Sequence, residues 1–306
     1  MRKTTPGASL RRKRRPKQLL VSYAMLLPFL FFFFLMFVMP IFVSLFMSFT
    51  NFNMLQTPDF VGFSNYIKLF LDDDVFVTAL TNTMVFAFIS GPISYVLCFL
   101  LAWIISDLGP TLRSIVTVCF YAPSVAGTGI YVVWRLIFSS DSYGMINGLL
   151  MRMGLIDEPI LWLTDPQMSL GIVILVHIWL SLGAGFLAFI AGLQNIDRSQ
   201  YEAGAIDGIR SRWQELWYIT LPCMKPMLLF GGINQITTAF AVSDISMVLA
   251  GFPSIQYASH TLSLHAYDYG MVRYEMGYAA AISVVLFVLI LFTYKLFTLI
   301  LSKTGQ

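Results

Sequence analysis

Six apolar runs alternate with polar stretches along the chain. Each run is long enough for a helix that crosses a bilayer, which takes roughly 20 residues. The runs cover about 19–49, 75–106, 112–138, 168–194, 223–250 and 277–301. This pattern predicts an all-α membrane protein with six transmembrane helices. Because the first and fifth runs exceed one straight crossing, we expect them to tilt or to extend beyond the membrane.

Composition and charge add a location and an orientation. Of 306 residues 58% are hydrophobic and 11% are charged, whereas soluble domains have about 45–50% apolar residues. Most of the 19 Lys and Arg residues fall on the side that holds the N-terminus; the exceptions are Lys68, Arg135, Arg152 and Arg273. The bias predicts cytoplasmic N- and C-termini. Residues 1–18 then form a basic cytoplasmic tail, which sets topology or touches anionic lipid, and 19–306 form the transmembrane domain.

The first apolar run is predicted to be a retained helix. It follows the basic segment "RRKRRPK" (11–17), as the apolar part of a signal peptide would. It is, however, far longer than the 7–15 residues of such a peptide, and no small-residue cleavage site follows.

Recognised catalytic and metal-binding motifs are absent from the sequence. There is no phosphate-binding G-x-x-x-x-G-K-[ST] loop, no H-E-x-x-H and no G-x-S-x-G. The cysteines lack metal-ligand spacing. His260 and His265, in an outer-loop region, are expected to be solvated or hydrogen-bonded rather than to bind a metal. "DDD" (72–74) is expected to cap the next helix rather than to bind a cation. We therefore predict that the protein is not an enzyme and that it binds no cofactor, metal or nucleic acid.

A polar stretch between the fourth and fifth runs, residues 196–222, predicts two short helices. Ser199 and Glu202 have the spacing of a capping box, and so do Ser211 and Gln214. Gly208 suits the left-handed residue that ends a helix. In the second helix, an apolar stripe for packing on the core is predicted at Trp213, Leu216, Trp217 and Leu221.

After this stripe, Pro222 is expected to break or redirect the chain. Small residues in the first helix, Ala203, Gly204 and Ala205, would allow another surface to approach closely. Two readings stay open from these residues alone. The stretch is either a knob that docks on a partner or an amphipathic hairpin that merely connects two spans.

The same stretch resembles the E-A-A-x3-G-x9-I-x-L-P motif of binding-protein-dependent ABC importer permeases. Matching positions are Glu202, Ala203, Gly208, Ile219, Leu221 and Pro222. Gly204 replaces the second alanine, and one extra residue falls at 209–210. Both helices keep their length, so the angle between them is what this insertion would change.

Further segments resemble the carbohydrate-uptake branch of that family in the same order along the chain. They include "PIFVSLFMSFTNFN", "FVGFSNYIKLF", "LTNTMVF", "YGMINGLL", "HIWLSLGAGFLAFIAGLQNI" and "YEMGYAAAISVVLF". The chain is thus similar to permeases for maltose, glycerol 3-phosphate and multiple sugars. The resemblance implies the type I ABC importer transmembrane-domain fold, with a cytoplasmic helix-turn-helix coupling loop between spans 4 and 5.

The resemblance also implies partners and roles in a bacterial plasma membrane. The partners would be a second homologous permease, two cytoplasmic ATPase subunits that bind ATP and Mg, and an extracellular binding protein that delivers the sugar. The coupling loop would fit a cleft on the ATPase. Its coupling residues would be Glu202, Ala203, Gly204, Asp207, Gly208, Trp213, Ile219, Leu221 and Pro222.

Polar residues within the fifth run suggest a substrate pathway, because such groups usually face a cavity or a neighbouring helix. The predicted set is Asn234, Gln235, Thr238, Ser243 and Asp244. Asp244 would accept hydrogen bonds from sugar hydroxyls; the alternative is bonding between helices or to a partner arginine. Residues 123–129 are expected to loosen the third span. Tyr121 and Trp179 either stack on a sugar or simply pack.

Sugar import driven by ATP is therefore the function that the sequence favours. The alternative is an ion-coupled secondary transporter of a small polar solute, which predicts inverted repeats with matching broken helices. No convincing repeat relates the two halves. A membrane enzyme ranks third, because no nucleophile or acid–base pair is evident.

Overall fold

Helices account for nearly all regular structure in this protein. A computed structural model describes residues 16–303, with the side chains of 23–301. The predicted basic tail lies outside the described residues except for its last three positions. Within them, the only β-type pairing is an isolated antiparallel bridge between Thr50 and Phe60. The prediction of an all-α fold is confirmed.

The N-terminal helix belongs to a unit of its own, Met1–Phe46. It is described as α1 (Pro16–Phe33), a π-helical segment (Phe34–Val38) and α2 (Met39–Met47), which follow one another without a break. Its apolar part, Tyr23–Met47, has a mean hydropathy of 2.7. At about 1.5 Å per residue these 25 residues span roughly 37 Å, which exceeds the hydrocarbon core of a bilayer.

The second unit, Met47–Gln306, holds the other helices. In chain order these are α3 (Ser64–Ile67), α4 (Asp74–Ser106), α5 (Pro110–Val125), α6 (Gly129–Ile137), α7 (Met145–Arg152), α8 (Pro166–Leu180), α9 (Ala184–Gln194), α10 (Arg198–Ile206), α11 (Arg212–Glu215), α12 (Leu221–Cys223), α13 (Lys225–Phe240), α14 (Asp244–Ala250), α15 (Leu262–Tyr267) and α16 (Met276–Lys303). Shorter π and 3-10 turns connect several of them.

Several predicted membrane runs are bent or broken. Within residues 16–303, four helices are long and apolar enough to span a membrane, or up to six if each of two bent pairs forms one span. The predicted loosening at 123–129 is confirmed, since α5 and α6 meet at 91°. The run predicted over 223–250 is divided into α13 and α14 by residues 241–243. The number of six spans stays a prediction.

Close packing of α4, α9 and α13 forms a core of this unit. Phe99, Phe186 and Phe189 are buried together there. A Cβ placed at Gly231 would collide with the ring of Phe189, and one at Gly185 would lie 3.6 Å from the Gly231 Cα. Helices within membranes commonly approach through such small residues, because lipid offers no hydrophobic driving force for larger ones.

A hydrogen-bonded cluster ties the start of α4 to α15 and α16. Asp73 caps α4 by accepting from the Phe76 N–H (2.9 Å), which confirms the capping prediction. The same carboxylate accepts from the Tyr278 hydroxyl (2.7 Å) and from His265 Nε2 (3.0 Å). His265 Nδ1 must therefore accept from His260 Nε2 (3.2 Å). Of the two expected states, solvated or hydrogen-bonded, both histidines have the second, since each is buried. Residues 16–303 contain no group of three His, Cys, Asp or Glu that could hold a metal ion.

Burial decides the charge state of this cluster. Desolvation lowers the pKa of His260 to about 4, and the neighbouring His265 adds to that effect. Desolvation also lowers the pKa of His265, despite the opposing attraction of Asp73. Desolvation raises the pKa of Asp73, but hydrogen bonds from Tyr278 and Phe76 and the influence of His265 outweigh it and bring the pKa below its usual value. At neutral pH the His265–Asp73 contact is thus a hydrogen bond from a neutral imidazole to a carboxylate.

Candidate functional site

The first candidate feature is a helical hairpin at residues 198–223, called the hairpin below. Its first helix, α10, begins after Asp197, whose carboxylate accepts from the Ser199 N–H (3.0 Å). The predicted capping box of Ser199 and Glu202 is therefore wrong. Asp197 is an equally strong cap and starts the helix earlier, so Ser199 already lies in the first turn. This backbone bond lowers the pKa of Asp197.

A glycine turn ends α10, as predicted. Gly208 has φ = +96°, in the region that favours glycine. The Ile209 N–H donates to the Gly204 carbonyl (2.9 Å), and the Gly208 N–H donates to the Ala205 carbonyl (3.3 Å). These two bonds form the Schellman motif, which satisfies carbonyls at the end of a helix. The turn therefore fixes the direction in which the second helix leaves.

The second helix begins at the predicted capping box. The Gln214 N–H donates to Ser211 Oγ, and the Ser211 N–H donates to Gln214 Oε1, both at 3.2 Å. A π-helical segment follows at Leu216–Thr220. Because a π turn holds one extra residue, it rotates the positions that follow around the helix axis.

The prediction of one packed stripe through Trp213, Leu216, Trp217 and Leu221 is therefore wrong. Leu216, Ile219 and Thr220 are buried, while Trp213 is 61% and Trp217 66% exposed. The π turn changes which residues of the second helix face the core. Leu216 is buried there with residues of α4 and α9.

Inside the hairpin, Gly204 lies against the second helix. A Cβ at Gly204 would be 2.6 Å from Ile219 Cδ1 and 3.1 Å from Ile209 Cδ1. The glycine that replaces the motif's alanine thus faces Ile219 and Ile209, one of the two residues at the site of the insertion. Gly204 is not available to a partner surface. Ile219, another member of the predicted coupling set, is buried as well. Leu221 is half-buried, and the remaining members are exposed: Glu202, Ala203, Asp207, Gly208, Trp213 and Pro222.

The hairpin continues directly into α13. The chain turns by 81° between Arg212–Cys223 and Lys225–Phe240. This is the redirection expected near Pro222, and it occurs at Met224, which is buried. Helix α13 then carries three of the five predicted pathway residues, Asn234, Gln235 and Thr238.

The second candidate feature is a cavity of about 470 Å³. It is lined by residues at the interruptions between three pairs of consecutive helices. The breaks lie at 126–128, 181–183 and 241–243. All five residues predicted for a substrate pathway line this cavity: Asn234, Gln235, Thr238, Ser243 and Asp244. Broken helices are tolerated within membrane proteins where the freed backbone groups line a cavity or find other partners.

The polar side chains of the cavity differ in how many of their hydrogen-bonding groups already have a partner within the protein. Gln235 is buried, and its Nε2 donates to the Ser181 carbonyl (3.1 Å) and to Cys98 Sγ (3.2 Å). The Thr238 hydroxyl bonds back to the Asn234 carbonyl (3.0 Å). Asp244 accepts from Ser243 Oγ (3.2 Å) and forms no ion pair within the described part of the chain. Asp244 is therefore a largely free hydrogen-bond acceptor.

One buried polar residue of the cavity, His177, was not predicted from sequence. His177 is only 9% exposed, lines the cavity, and has no hydrogen-bond partner for Nε2 among the described residues. Its position inside an apolar run was the available signal. Tyr121 also lines the cavity, whereas Trp179 packs on Trp134 with ring centres 5.1 Å apart. The packing alternative thus describes Trp179.

Known proteins resemble this chain over most of its length. Residues 94–305 match the family described as binding-protein-dependent transport system inner membrane component. The probable ABC transporter permease protein YesP of Bacillus subtilis (strain 168) is 32% identical over 308 residues, covering 99% of this chain and 96% of YesP. The lactose transport system permease protein LacF of Rhizobium radiobacter is 33% identical over 237 residues, covering 76% and 77%.

A solved structure extends the similarity to the fold. It is the crystal structure of a bacterial alginate ABC transporter in complex with an alginate pentasaccharide-bound periplasmic protein. One of its chains superposes with a TM-score of 0.72 at 27% identity, covering 90% of this chain and 93% of that one. The all-helical fold described above therefore matches that of a type I ABC importer permease.

Proposed function

The chain belongs to the family of binding-protein-dependent transport system inner membrane components, and we propose that it imports a sugar or oligosaccharide by ATP-driven alternating access. Proteins of this family are membrane permease subunits and not enzymes, and the ATPase is a separate subunit. The sugar assignment draws on relatives such as LacF, whose name specifies lactose transport.

The proposed assembly contains two permeases, two ATPases and an extracellular binding protein. A periplasmic protein bound to a pentasaccharide is present in the alginate transporter structure, which supports a partner of that kind. This chain would form half of the pore as a multi-pass protein of the bacterial plasma membrane. The six apolar runs support six spans, and the distribution of Lys and Arg supports cytoplasmic termini. ATP and Mg would bind to the ATPases.

We propose the hairpin as the element that docks on the ATPase. Glu202, Ala203 and Ile206 lie at positions i, i+1 and i+4 of α10, and all three are exposed, Ile206 by 87%. A partner surface could cover the Ile206 side chain, while the Glu202 carboxylate would suit the polar rim of such a contact. The Schellman turn and the capping box hold this face in a fixed orientation, which lowers the entropy that docking must overcome.

The cavity is the proposed sugar site. Sugars present many hydroxyl donors, and the Asp244 carboxylate can accept from them with charge-assisted hydrogen bonds. Within residues 23–301 the Asn234 side chain has no hydrogen-bond partner assigned, so its amide can both donate and accept. Tyr121 adds an aromatic ring that can cover an apolar sugar face. The volume of about 470 Å³ lies within the range of small-molecule sites.

One observation carries this proposal: a single continuous segment connects the docking hairpin to the cavity. The hairpin ends at Cys223, the chain bends at Met224, and α13 begins at Lys225 and lines the cavity through Asn234, Gln235 and Thr238. A movement of the hairpin would therefore reach the sugar site through a short and well-packed path. Such a path is what ATP-driven alternating access needs.

Affinity purification of the native chain tests the proposal. We expect an ATPase and a second permease to co-purify, and uptake in reconstituted vesicles to require ATP and a binding protein. Lactose and maltose serve as first probes. Transport by the isolated chain without ATP, driven by an ion gradient, would overturn the proposal and favour a secondary transporter.

A further inference from the structure

Besides its backbone connection at Met224, the hairpin is attached to the rest of the protein at the start of its second helix. The Arg212 guanidinium forms an ion pair with Asp107, which follows the last residue of α4. The same guanidinium lies over the ring of Trp103, with its carbon 4.7 Å from the ring centre. The Trp103 ring also contacts Trp213, with ring centres 5.3 Å apart. Four side chains thus connect the end of α4 to the start of α11.

Arginine suits this contact better than other cations. Its planar guanidinium stays charged at any physiological pH and can pair with a carboxylate at its edge while stacking on an aromatic ring. Two contacts of different geometry fix the orientation of one group, whereas a lone surface ion pair would swing. Half of the Arg212 and Asp107 side-chain surface is exposed, so stability alone is a weak reason for the arrangement.

The attachment is backed by packing on the same side. Leu216, one turn after Arg212, is buried in a cluster that includes Ala102 and Ile105 of α4. Helix α4 in turn packs against α8, α9 and α13, the helices whose breaks line the cavity. The hairpin therefore reaches the cavity by two routes, through the backbone into α13 and through side chains into α4.

With only the backbone route, a push on the hairpin would act through the 81° bend at Met224. A bend between two helices can flex and absorb such a push. Holding the second helix against α4 removes that freedom, because the hairpin, α4 and α13 then move as one body. The proposed function needs this rigidity, since displacement at the ATPase must open or close a cavity formed by these helices.

We infer that Trp103, Asp107 and Arg212 are positioning residues, forming a clamp that transmits hairpin movement to α4 and hence to the sugar cavity. The inference rests on the proposed function. None of the three belongs to the coupling motif that the sequence displays, and Trp103 and Asp107 lie about 100 residues before it. The clamp does not bind the ATPase itself.

The test reverses each charge and then both in the full transporter, purified with its partner permease and ATPases. The variants are Arg212→Asp, Asp107→Arg and the two together, which restore an opposite pair. Ala241→Cys, at an exposed cavity position, is the reporter. Its maleimide modification is followed by mass spectrometry of that peptide, with and without Mg-ATP. The matched control is Arg152→Asp, an exposed arginine at the end of α7, outside the hairpin and without an ion pair in the described residues.

We expect Mg-ATP to change the modification rate at position 241 several-fold in the parent and in the Arg152→Asp control. Each single clamp variant should keep its ATPase yet lose most of that change, and the double variant should recover part of it, because the swap restores the ion pair but not the stacking of position 212 on Trp103. The inference is overturned if single variants respond to ATP like the parent, if they shed the ATPase, or if the control fails equally. A parent that purifies without any ATPase refutes the proposed function instead.

Discussion

The contact between Gly204 and Ile219 gives a quantitative test of the hairpin geometry. Replacing Gly204 by alanine restores the residue of the family motif and raises helix propensity by about 1 kcal/mol. The new Cβ would, however, lie 2.6 Å from Ile219 Cδ1 and 3.1 Å from Ile209 Cδ1. Both atoms are ends of flexible side chains, so they can move, but inserting a methyl into packed space costs about 1–3 kcal/mol. We expect a net loss of about 1 kcal/mol.

The partner substitution removes the obstacle. Ile219→Val deletes Cδ1 and by itself costs about 0.5–1.5 kcal/mol, because a small void remains. In the double variant the alanine methyl fills that void, so the closest contact disappears and the gain in helix propensity remains, while the 3.1 Å approach to Ile209 Cδ1 requires only a small shift of that flexible side chain. The double variant should therefore be close to the parent in stability. The implied coupling energy between the two positions is about 1–2 kcal/mol.

Hydrogen exchange followed by mass spectrometry measures this locally. The reporters are the amides of Gly208 and Ile209, which donate to α10 in the turn. About 1 kcal/mol corresponds to roughly a five-fold faster exchange in each single variant. Exchange in the double variant should return to the parent rate. Additive effects of the two substitutions, or slower exchange in Gly204→Ala alone, would refute the tight contact.

Three further predictions address docking, binding and pH. Gly208→Val, at φ = +96°, should misdirect the second helix and abolish ATPase co-purification and uptake; normal values for both in a membrane-inserted variant would contradict this. Asp244→Asn should raise the half-saturating sugar concentration about ten-fold with the ATPase still bound, and an unchanged value would remove Asp244 from the site. The pKa of His260 lies at about 4 in the folded protein against about 6.5 unfolded. The contribution of His260 to the free energy of unfolding should therefore be complete above pH 6.5. It should fall by at most ~1.4 kcal/mol per pH unit towards pH 4. Melting curves of His260→Phe should lack this part of the acid loss, and an identical loss would exclude His260.

Local sequence signals predicted the hairpin well where a single signal operated. Ser211 and Gln214 formed their capping box, and Gly208 adopted the left-handed turn. The predicted start of α10 was wrong because two strong N-cap residues, Asp197 and Ser199, lie two positions apart. The sequence alone does not show which of them begins the helix. The π turn at Leu216–Thr220 was also missed. It carries no sequence signature, and its result is a change in which side chains are buried.

The cavity was predictable in its polar residues but not in its shape. Polar groups within an apolar run indicated Asn234, Gln235 and Asp244, and the same rule applied to His177 would have found it. The break at 126–128 follows Pro123 and contains Gly127, so it could be expected. The break at 241–243 has neither residue and depends on a contact from far along the chain. There the Thr261 hydroxyl donates to the Val242 carbonyl (2.7 Å) and replaces the helical bond.

The same kind of contact supports the break at 181–183, and it separates two roles among the cavity's polar side chains. Gln235 donates to the Ser181 carbonyl, as Thr261 does to that of Val242. Each uses a side chain to satisfy a backbone group that a broken helix has freed, so each holds the cavity open and has little capacity left for a ligand. Asp244 and Asn234 have no such task. Sugar recognition is therefore expected to depend on these two residues, while Gln235 and Thr261 maintain the space in which recognition takes place.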